Sequence, residues 1–420
     1  MNGQPRPGPV AGLKVLDFTH VFAGPFCTRN LADLGADIVH VESRSRDPGD
    51  RTRTSYAHRN KRSISLDLKH AGGHAVAVRL AMAADVIVEN FSSNVMRRRK
   101  LDYETLSAAN PRLIYVSLSG FGHTGPRNAW TSMNLNLQAF TGLMMTTGSE
   151  GDPPTSISNS WNDYIGGLHG VIAVLHALAE RAKTGRGRNF DLSQFECSVA
   201  TLGPLLMAST LSGQAPKRWG NRSSKYAPQG VYPCNGTDEW CAITIETGAQ
   251  WHALAQAIGA AELAADARLD DPAARMRRHD ELDAAIAAWT SRHSKEDAER
   301  ALQAAGVPAE RMRRIPEVVN SADSGRVYHP VPGERATPVL TCGVPFAFSR
   351  SSIAAVGAPC RLGEHNSEVL HDWLGIDAAE IGALATTTSA VRASRSNASR
   401  PSAVVTSSAR LRFPALKNWW

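Results

Sequence analysis

The chain has 420 residues, 42% of them hydrophobic and 20% charged, which suits two or three packed domains and excludes a largely disordered protein. The formal net charge of +7 is carried by the end of the chain. Residues 385–420 hold Arg392, Arg395, Arg400, Arg410, Arg412 and Lys417 and no acid, leaving 40 basic against 39 acidic residues elsewhere, so no nucleic-acid partner is expected. The longest near-continuous apolar run, Gly170–Ala179, falls short of the roughly 18–20 residues of a membrane span. MNGQPRPGPV offers no secretory stretch, and six cysteines without CxxC pairs read as reduced, mostly buried thiols, so a cytoplasmic protein is expected.

LKVLDF (13–18) reads as a buried strand, THVFAGPF as a loop, CTRNLADLGA as a helix and DIVHVE (37–42) as a second strand. Strand, helix and strand within about 30 residues imply parallel pairing with a right-handed crossover. SISLDL, GGHAVAVRLAMAA and DVIVEN repeat the pattern, and LIYVSLSGFG adds a third strand of that series. The result is an α/β class fold, a Rossmann-like domain with a crevice beyond the strand ends. A long apolar helix runs from Asp163 to TGRG, where Gly185 or Gly187 caps it. NFDLSQFE then reads as a strand feeding a helix, with Asp191 as N-cap. CAITIE (241–246) is strand-like, and helical patterns at 251–258, 282–290 and 295–305 make a smaller α+β region. The expected division is 1–218 for the large domain, 219–325 for the small one, 326–384 for a segment returning to the large domain, and 385–420 for a disordered tail.

Strand, glycine turn, helix and a closing Glu42 suggest a dinucleotide site, with Glu42 on a ribose. The turn Phe22-Ala23-Gly24-Pro25 has one glycine and a proline, however, where that fingerprint needs three glycines. A nucleotide of another kind stays open. Arg59, Lys61, Arg62 and Lys69 flank a strand, and Arg97-Arg98-Arg99-Lys100 follows Asn90-Phe91; they read as a solvated face or as binders of a few phosphates. Asp163 is either the N-cap of its helix or an ionised carboxylate able to attack an activated carbonyl, with Gly166 and Gly167 leaving room for a ligand. His169 and His176 read as packed histidines, and Glu246 as a bland strand end or a second acid/base group. Trp130, Met133, Met144 and Trp161 read as core or as an acyl pocket.

GLKVLDFTHVFAGPFCTRNLADLGADIVHVE, NKRSISLDLK, VIVENF, SLSGFG, the Asp163 helix with KTGRG, and LGEHNSEVL together resemble the family III CoA-transferases over roughly residues 10–380. The resemblance implies two-domain subunits interlocked as a homodimer, although a related second subunit is an alternative. It implies coenzyme A as a substrate, no tightly bound cofactor or metal, and Asp163 as nucleophile. The family's CoA-contacting positions fall on Val21, Phe22, Ala23, Leu66, Lys69, Asn90, Phe91 and Arg98. The implied reaction moves CoA from an acyl-CoA thioester to a carboxylic acid through an aspartyl mixed anhydride and an enzyme-CoA thioester. Phe22 stands where formyl-CoA transferases carry glutamine, and their small-domain glycine run is missing, which argues against oxalate or formate. Met133-Asn134 stands where the related racemases carry a His-Asp pair. A CoA-thioester racemase and a non-catalytic CoA-binding or tail-driven nucleic-acid-binding protein are the alternatives.

Overall fold

The computed structural model describes residues 8–43, 55–321, 328–331, 339–353, 357–377 and 379–381. Six strands, β1 (Lys14–Asp17), β2 (Asp37–Glu42), β3 (Arg62–Ser65), β4 (Val86–Glu89), β5 (Ile114–Ser119) and β6 (Asn189–Ser193), form one parallel sheet ordered 3-2-1-4-5-6. Every neighbouring pair is parallel, with Val15 in register with Ile38 on one side and Val86 on the other. The central strands are near-continuous apolar runs because both faces are covered. Alternation sends Leu16, Ile64, Ile87 and Tyr115 to one face, against Val76 and Leu80 of the helix α2 (Ala71–Ala83). Val15, Ile38, Val86 and Val116 point the other way, to Cys27 and Leu31 of α1 (Ala23–Asp33) and Val174 and Ala177 of a long helix, Trp161–Thr184.

In chain order the further helices are α3 (Asn134–Thr141), α4 (Trp161–Thr184), α5 (Gln194–Ala200) and α6 (Gly203–Ser212). α4 ends at Gly185, whose φ of 72° gives the left-handed cap expected there. The cap expected at Asp191 is instead Ser193, whose hydroxyl accepts the Glu196 amide at 3.2 Å. The Asp191 carboxylate turns to the β5 loop, accepting the His123 amide at 2.7 Å and the Thr124 hydroxyl at 3.1 Å.

A separate antiparallel sheet, β7 (Gln229–Pro233), β8 (Trp240–Thr244) and β9 (Ala309–Arg311), packs on α7 (Gly248–Ala257), α8 (His279–Thr290) and α9 (Lys295–Ala304). Its core of Trp251, Leu254, Ile243, Leu282, Ile286 and Leu302 is distinct from the two cores of the large sheet. The chain continues through the hairpin β10 (Tyr328–Val331) and β11 (Val339–Cys342). α10 (Asn366–Leu374) then adds Val369, Leu370 and Trp373 to the core behind β3 and α2. Residues 385–420 and part of the 326–384 segment lie outside the described residues.

Candidate active site

In this strand order β1 and β4 are neighbours whose connections leave in opposite directions, and open α/β sheets bind ligands in the crevice beyond such a switch point. Two loops flank it, residues 18–22 after β1 and residues 90–94 after β4. Asn90 joins them: its Oδ1 accepts the His20 amide at 2.7 Å and its Nδ2 donates to the His20 carbonyl at 2.8 Å. The Thr19 amide and hydroxyl both donate to Asp17, at 2.8 and 2.5 Å, fixing the start of the first loop. Gly24 is required there, since a Cβ would lie 2.4 Å from Cβ of Thr19. Val21 has a φ of 64° and is 79% exposed. A β-branched residue in the left-handed region costs on the order of 1–3 kcal/mol, and such strain collects at ligand sites. The helix begins at Ala23, four residues before the expected CTRNLADLGA, because proline is tolerated in a first turn.

The head of α4 approaches this loop. Asn159 and Ser160 both have left-handed backbones, with φ of 74° and 54°. Ser160 takes the N-cap position, and Asp163 is the third helical residue, its amide donating to the Ser160 carbonyl at 2.9 Å. Asp163 is therefore not the N-cap. Burial raises its carboxyl from 3.8 to about 6, with a hydrogen bond from Ser160 pulling the other way. At neutral pH it therefore remains mostly ionised.

Next to it, the Tyr164 ring meets Phe22 edge-on at 5.0 Å and Phe26 at 4.9 Å, seating the Asp163 turn against the β1 loop. The glycines serve helix packing rather than ligand access. A Cβ on Gly167 would lie 2.8 Å from the Ala23 carbonyl oxygen, one on Gly170 2.8 Å from Cys27 Sγ, and one on Gly166 2.9 Å from Gln194.

Two amides of α3 support the same turn: Gln138, which nothing in the sequence singled out, and Asn134, noted there only for standing where the racemases carry an acid. Gln138 donates to the Ile157 carbonyl at 2.7 Å and accepts the Ile157 amide at 2.8 Å, while Asn134 Oδ1 receives the Asn162 amide at 3.4 Å. The available signal was two amide residues one helical turn apart, just before the Asp163 helix.

The basic residues divide sharply. Lys61 is buried, reaching Asp17 at 3.0 Å, Thr28 at 2.7 Å and the Pro25 carbonyl at 3.0 Å. Burial pushes Asp17 up, but Lys61 and His40 outweigh it and hold the carboxyl well below its usual range. Arg59 is buried against Asp33 at 2.7 Å and bonds Thr341 of β11, and Arg62 pairs with Asp37 and Asp372. These three hold the fold and are not phosphate binders. Lys69, Arg97 and Arg98 are exposed, while Arg99 donates to the Leu68 carbonyl at 2.8 Å. Leu66 is 1% exposed in the core behind the sheet, so its side chain cannot line a ligand site. Glu42 accepts the Ser63 hydroxyl and sits 3.8 Å from His40, occupied by the fold rather than aimed at a ribose.

The remaining expectations fare unevenly. His169 is half-buried, its Nδ1 2.9 Å from the Ile165 carbonyl, but His176 is exposed near Glu180 and is no core histidine. Glu246 is exposed just before α7. Trp130 and Met133 are exposed, at 54% and 64%, so they are not core; Trp130 packs edge-on with Phe121 and Phe140 on the flank of α3. Among the described residues no cluster of histidine, cysteine and carboxylate could hold a metal, and no helix is long and apolar enough to cross a membrane.

The profile described as CoA-transferase family III matches residues 10–366. The acetyl-CoA:oxalate CoA-transferase of Acetobacter aceti is 37% identical over 326 residues, spanning 74% of this chain and 83% of that protein. The succinyl-CoA--D-citramalate CoA-transferase of Chloroflexus aurantiacus is 31% identical over 405 residues, spanning 90% and 96%. A CaiB/BaiF family protein from Brucella suis superposes with a TM-score of 0.81 at 31% identity, covering 88% of this chain and all of the other. With the switch-point crevice, the strained loop and the buried acid now described, the conclusion is plain: this chain belongs to the family III CoA-transferases.

Proposed function

We propose that the protein transfers coenzyme A from an acyl-CoA thioester to a carboxylic acid, with Asp163 as nucleophile. The observation that carries this reading is the Asp163 carboxyl, raised by burial to about 6, on a turn that Tyr164 seats against the Phe22 loop at the switch crevice. A half-desolvated carboxylate at neutral pH is both ionised and poorly hydrated, as a nucleophile toward a thioester must be.

The steps balance as follows. A carboxylate oxygen of Asp163 bonds to the thioester carbonyl carbon, the C–S bond breaks, and CoA thiolate leaves a mixed anhydride. The thiolate attacks the aspartyl carbonyl, expelling the donor carboxylate and giving an enzyme-CoA thioester. The acceptor carboxylate attacks the carbonyl carbon of that thioester, the C–S bond breaks, and CoA thiolate leaves the second anhydride. The thiolate then attacks the acceptor's carbonyl, releasing the new acyl-CoA and restoring Asp163. Held by the rest of the CoA molecule, the thiolate acts at high effective concentration. Val21, Phe22, Asn90 and Phe91 line the crevice in this reading, Ala23 can meet a ligand only through its backbone because its side chain is buried, and exposed Lys69 and Arg98 meet the phosphates. A racemase reading is disfavoured, because Met133 and Asn134 beside the Asp163 turn offer a thioether and an amide, neither of which exchanges a proton at neutral pH.

The two relatives named above carry oxalate and D-citramalate in their names, both dicarboxylic acids. That pattern supports a dicarboxylic acceptor and keeps oxalate among the candidates despite Phe22. A second copy of the chain is the partner we propose. α6 has no buried residue and exposes Leu205, Leu206, Met207 and Leu211, the last by 87%, while α4 exposes Leu168, Ile172 and Leu175 on one face. Light scattering reads the copy number, and a monomer would overturn that part.

The test of the chemistry is Asp163→Ala, which abolishes transfer and leaves CoA affinity intact. Hydroxylamine added with acyl-CoA converts Asp163 to a hydroxamate, visible by mass spectrometry of its peptide; labelling at another residue would remove Asp163 from the role.

A further inference from the structure

The peptide of Phe91 is held from both sides by two groups that the reaction itself does not use. Its amide donates to Glu89 Oε2 at 2.8 Å. Its carbonyl faces His123 Nε2 at 3.2 Å, and because a carbonyl only accepts, that nitrogen carries the proton. The same Nε2 stands 3.7 Å from the other oxygen of Glu89. Glu89 closes β4 and is fully buried. His123 arrives from the loop after β5, whose backbone is anchored by the hydrogen bond from its own amide to Asp191. Asn128, held to the His123 carbonyl at 3.3 Å, accepts the Ser93 hydroxyl at 2.6 Å and ties this loop to the segment after Phe91. Glu89, Ser93, His123, Asn128 and Asp191 border a polar cavity of about 250 Å³.

On the other side, the Phe91 ring meets the His20 ring edge-on at 4.8 Å, and His20 is the residue whose backbone Asn90 clamps. Both loops of the switch crevice are thus braced on one peptide, and that peptide is braced by Glu89 and His123.

The geometry points to Glu89 and His123 as positioning residues for bound acyl-CoA: they fix the Phe91 peptide, and through it the loop pair that receives the coenzyme. This rests on the reading of the crevice as the CoA site. Neither group touches the thioester or the acceptor acid, so their loss falls on CoA binding rather than on the chemical steps.

Calorimetric titration with free coenzyme A, together with steady-state kinetics, tests this on the full chain. His123→Ala, a change in a half-buried loop, is expected to weaken CoA binding and raise the acyl-CoA KM about tenfold, the cost of one buried hydrogen bond and the order it imposes. The value of kcat at saturation and the acceptor KM stay unchanged. His123→Gln, whose amide can still donate to the Phe91 carbonyl, restores most of the affinity, and Glu89→Gln keeps an acceptor for the Phe91 amide and loses little. A general structural role would instead lower kcat and thermal stability together and would not be rescued by glutamine. Wild-type CoA affinity in His123→Ala, or a fall in kcat without a change in acyl-CoA KM, overturns the inference and leaves the transferase reading standing. Wild-type protein that does not bind coenzyme A overturns both.

Discussion

Gln138 holds both backbone polar groups of Ile157, just as Asn90 holds both of His20, so each loop that shapes the crevice is gripped by one amide side chain. Gln138 is fully buried and Ile157 lies three residues before the left-handed Ser160, so this grip sets the approach of the chain to Asp163. Replacing Gln138 by Leu removes three side-chain hydrogen bonds, two to Ile157 and one to Asn134, and leaves the Ile157 groups unpaired, a loss of about 1–3 kcal/mol in stability. The proposed nucleophile then drifts while the proposed CoA loops stay in place. Transfer assays should show kcat down at least tenfold with acyl-CoA KM near its wild-type value, and urea unfolding should show the stability loss.

Lys61 and Lys69 stand eight residues apart in the sequence and in opposite settings. Lys61→Met leaves Asp17 buried without its cation, and breaking such a pair costs about 3–5 kcal/mol. The Asp17 carboxyl is held low in the fold, so its contribution to stability is present above its unfolded value near 3.8 and is lost as pH falls through the folded value. Acid unfolding should accordingly move to higher pH in Lys61→Met. Lys69→Ala should do neither; it raises acyl-CoA KM severalfold, with unfolding and kcat unchanged, and the difference from wild type shrinks as salt is added.

Gly167 lets α1 and α4 touch. Alanine there would place a methyl 2.8 Å from both the Ala23 carbonyl oxygen and a ring carbon of Phe26, and the carbonyl belongs to a helix that cannot yield locally. Overpacking of this kind costs about 1–3 kcal/mol. Because Ala23 opens the helix behind the crevice, Gly167→Ala should lose CoA affinity as well as stability, measured by calorimetry and by chemical denaturation. A variant as stable as wild type would mean that the two helices separate more easily than this contact implies.

The alternation of strands and helices made the large sheet readable from the sequence, since buried parallel strands are apolar runs of fixed length and Gly185 marks a helix end. The glycine-bearing helix was legible for the same reason, although it starts at Trp161, two residues before the expected Asp163. What the sequence could not show was which cations face inward. Arg59 and Lys61 look like Lys69 and Arg98 in a string of letters, and only tertiary pairing with Asp33 and Asp17 separates them. Leu66 was carried into the site by resemblance, and its side chain proves to be core; only its backbone could meet a ligand. The glycines after Asp163 were legible as glycines but not as contacts, because their partners, Ala23 and Cys27, come from another helix.

The Asp163 carboxyl also sets a conflict between stability and activity. Its value is raised from 3.8 to about 6 by burial, so the neutral acid is the form the fold prefers. Its favourable contribution is complete below about pH 3.8 and is lost as pH rises through about 6, so at neutral pH ionisation costs the native state about 1–3 kcal/mol after allowance for its partial exposure. Under the proposed mechanism activity runs the other way, since there only the carboxylate attacks, and kcat should climb through about pH 6 to a plateau. Asp163→Asn keeps the shape and removes the charge. It should be inactive yet more stable than wild type at pH 7.5, with the gain fading toward pH 4, in paired urea titrations at the two pH values. Equal stability at pH 7.5 would mean that the carboxylate is better solvated than its burial indicates, and the case for a desolvated nucleophile would weaken with it.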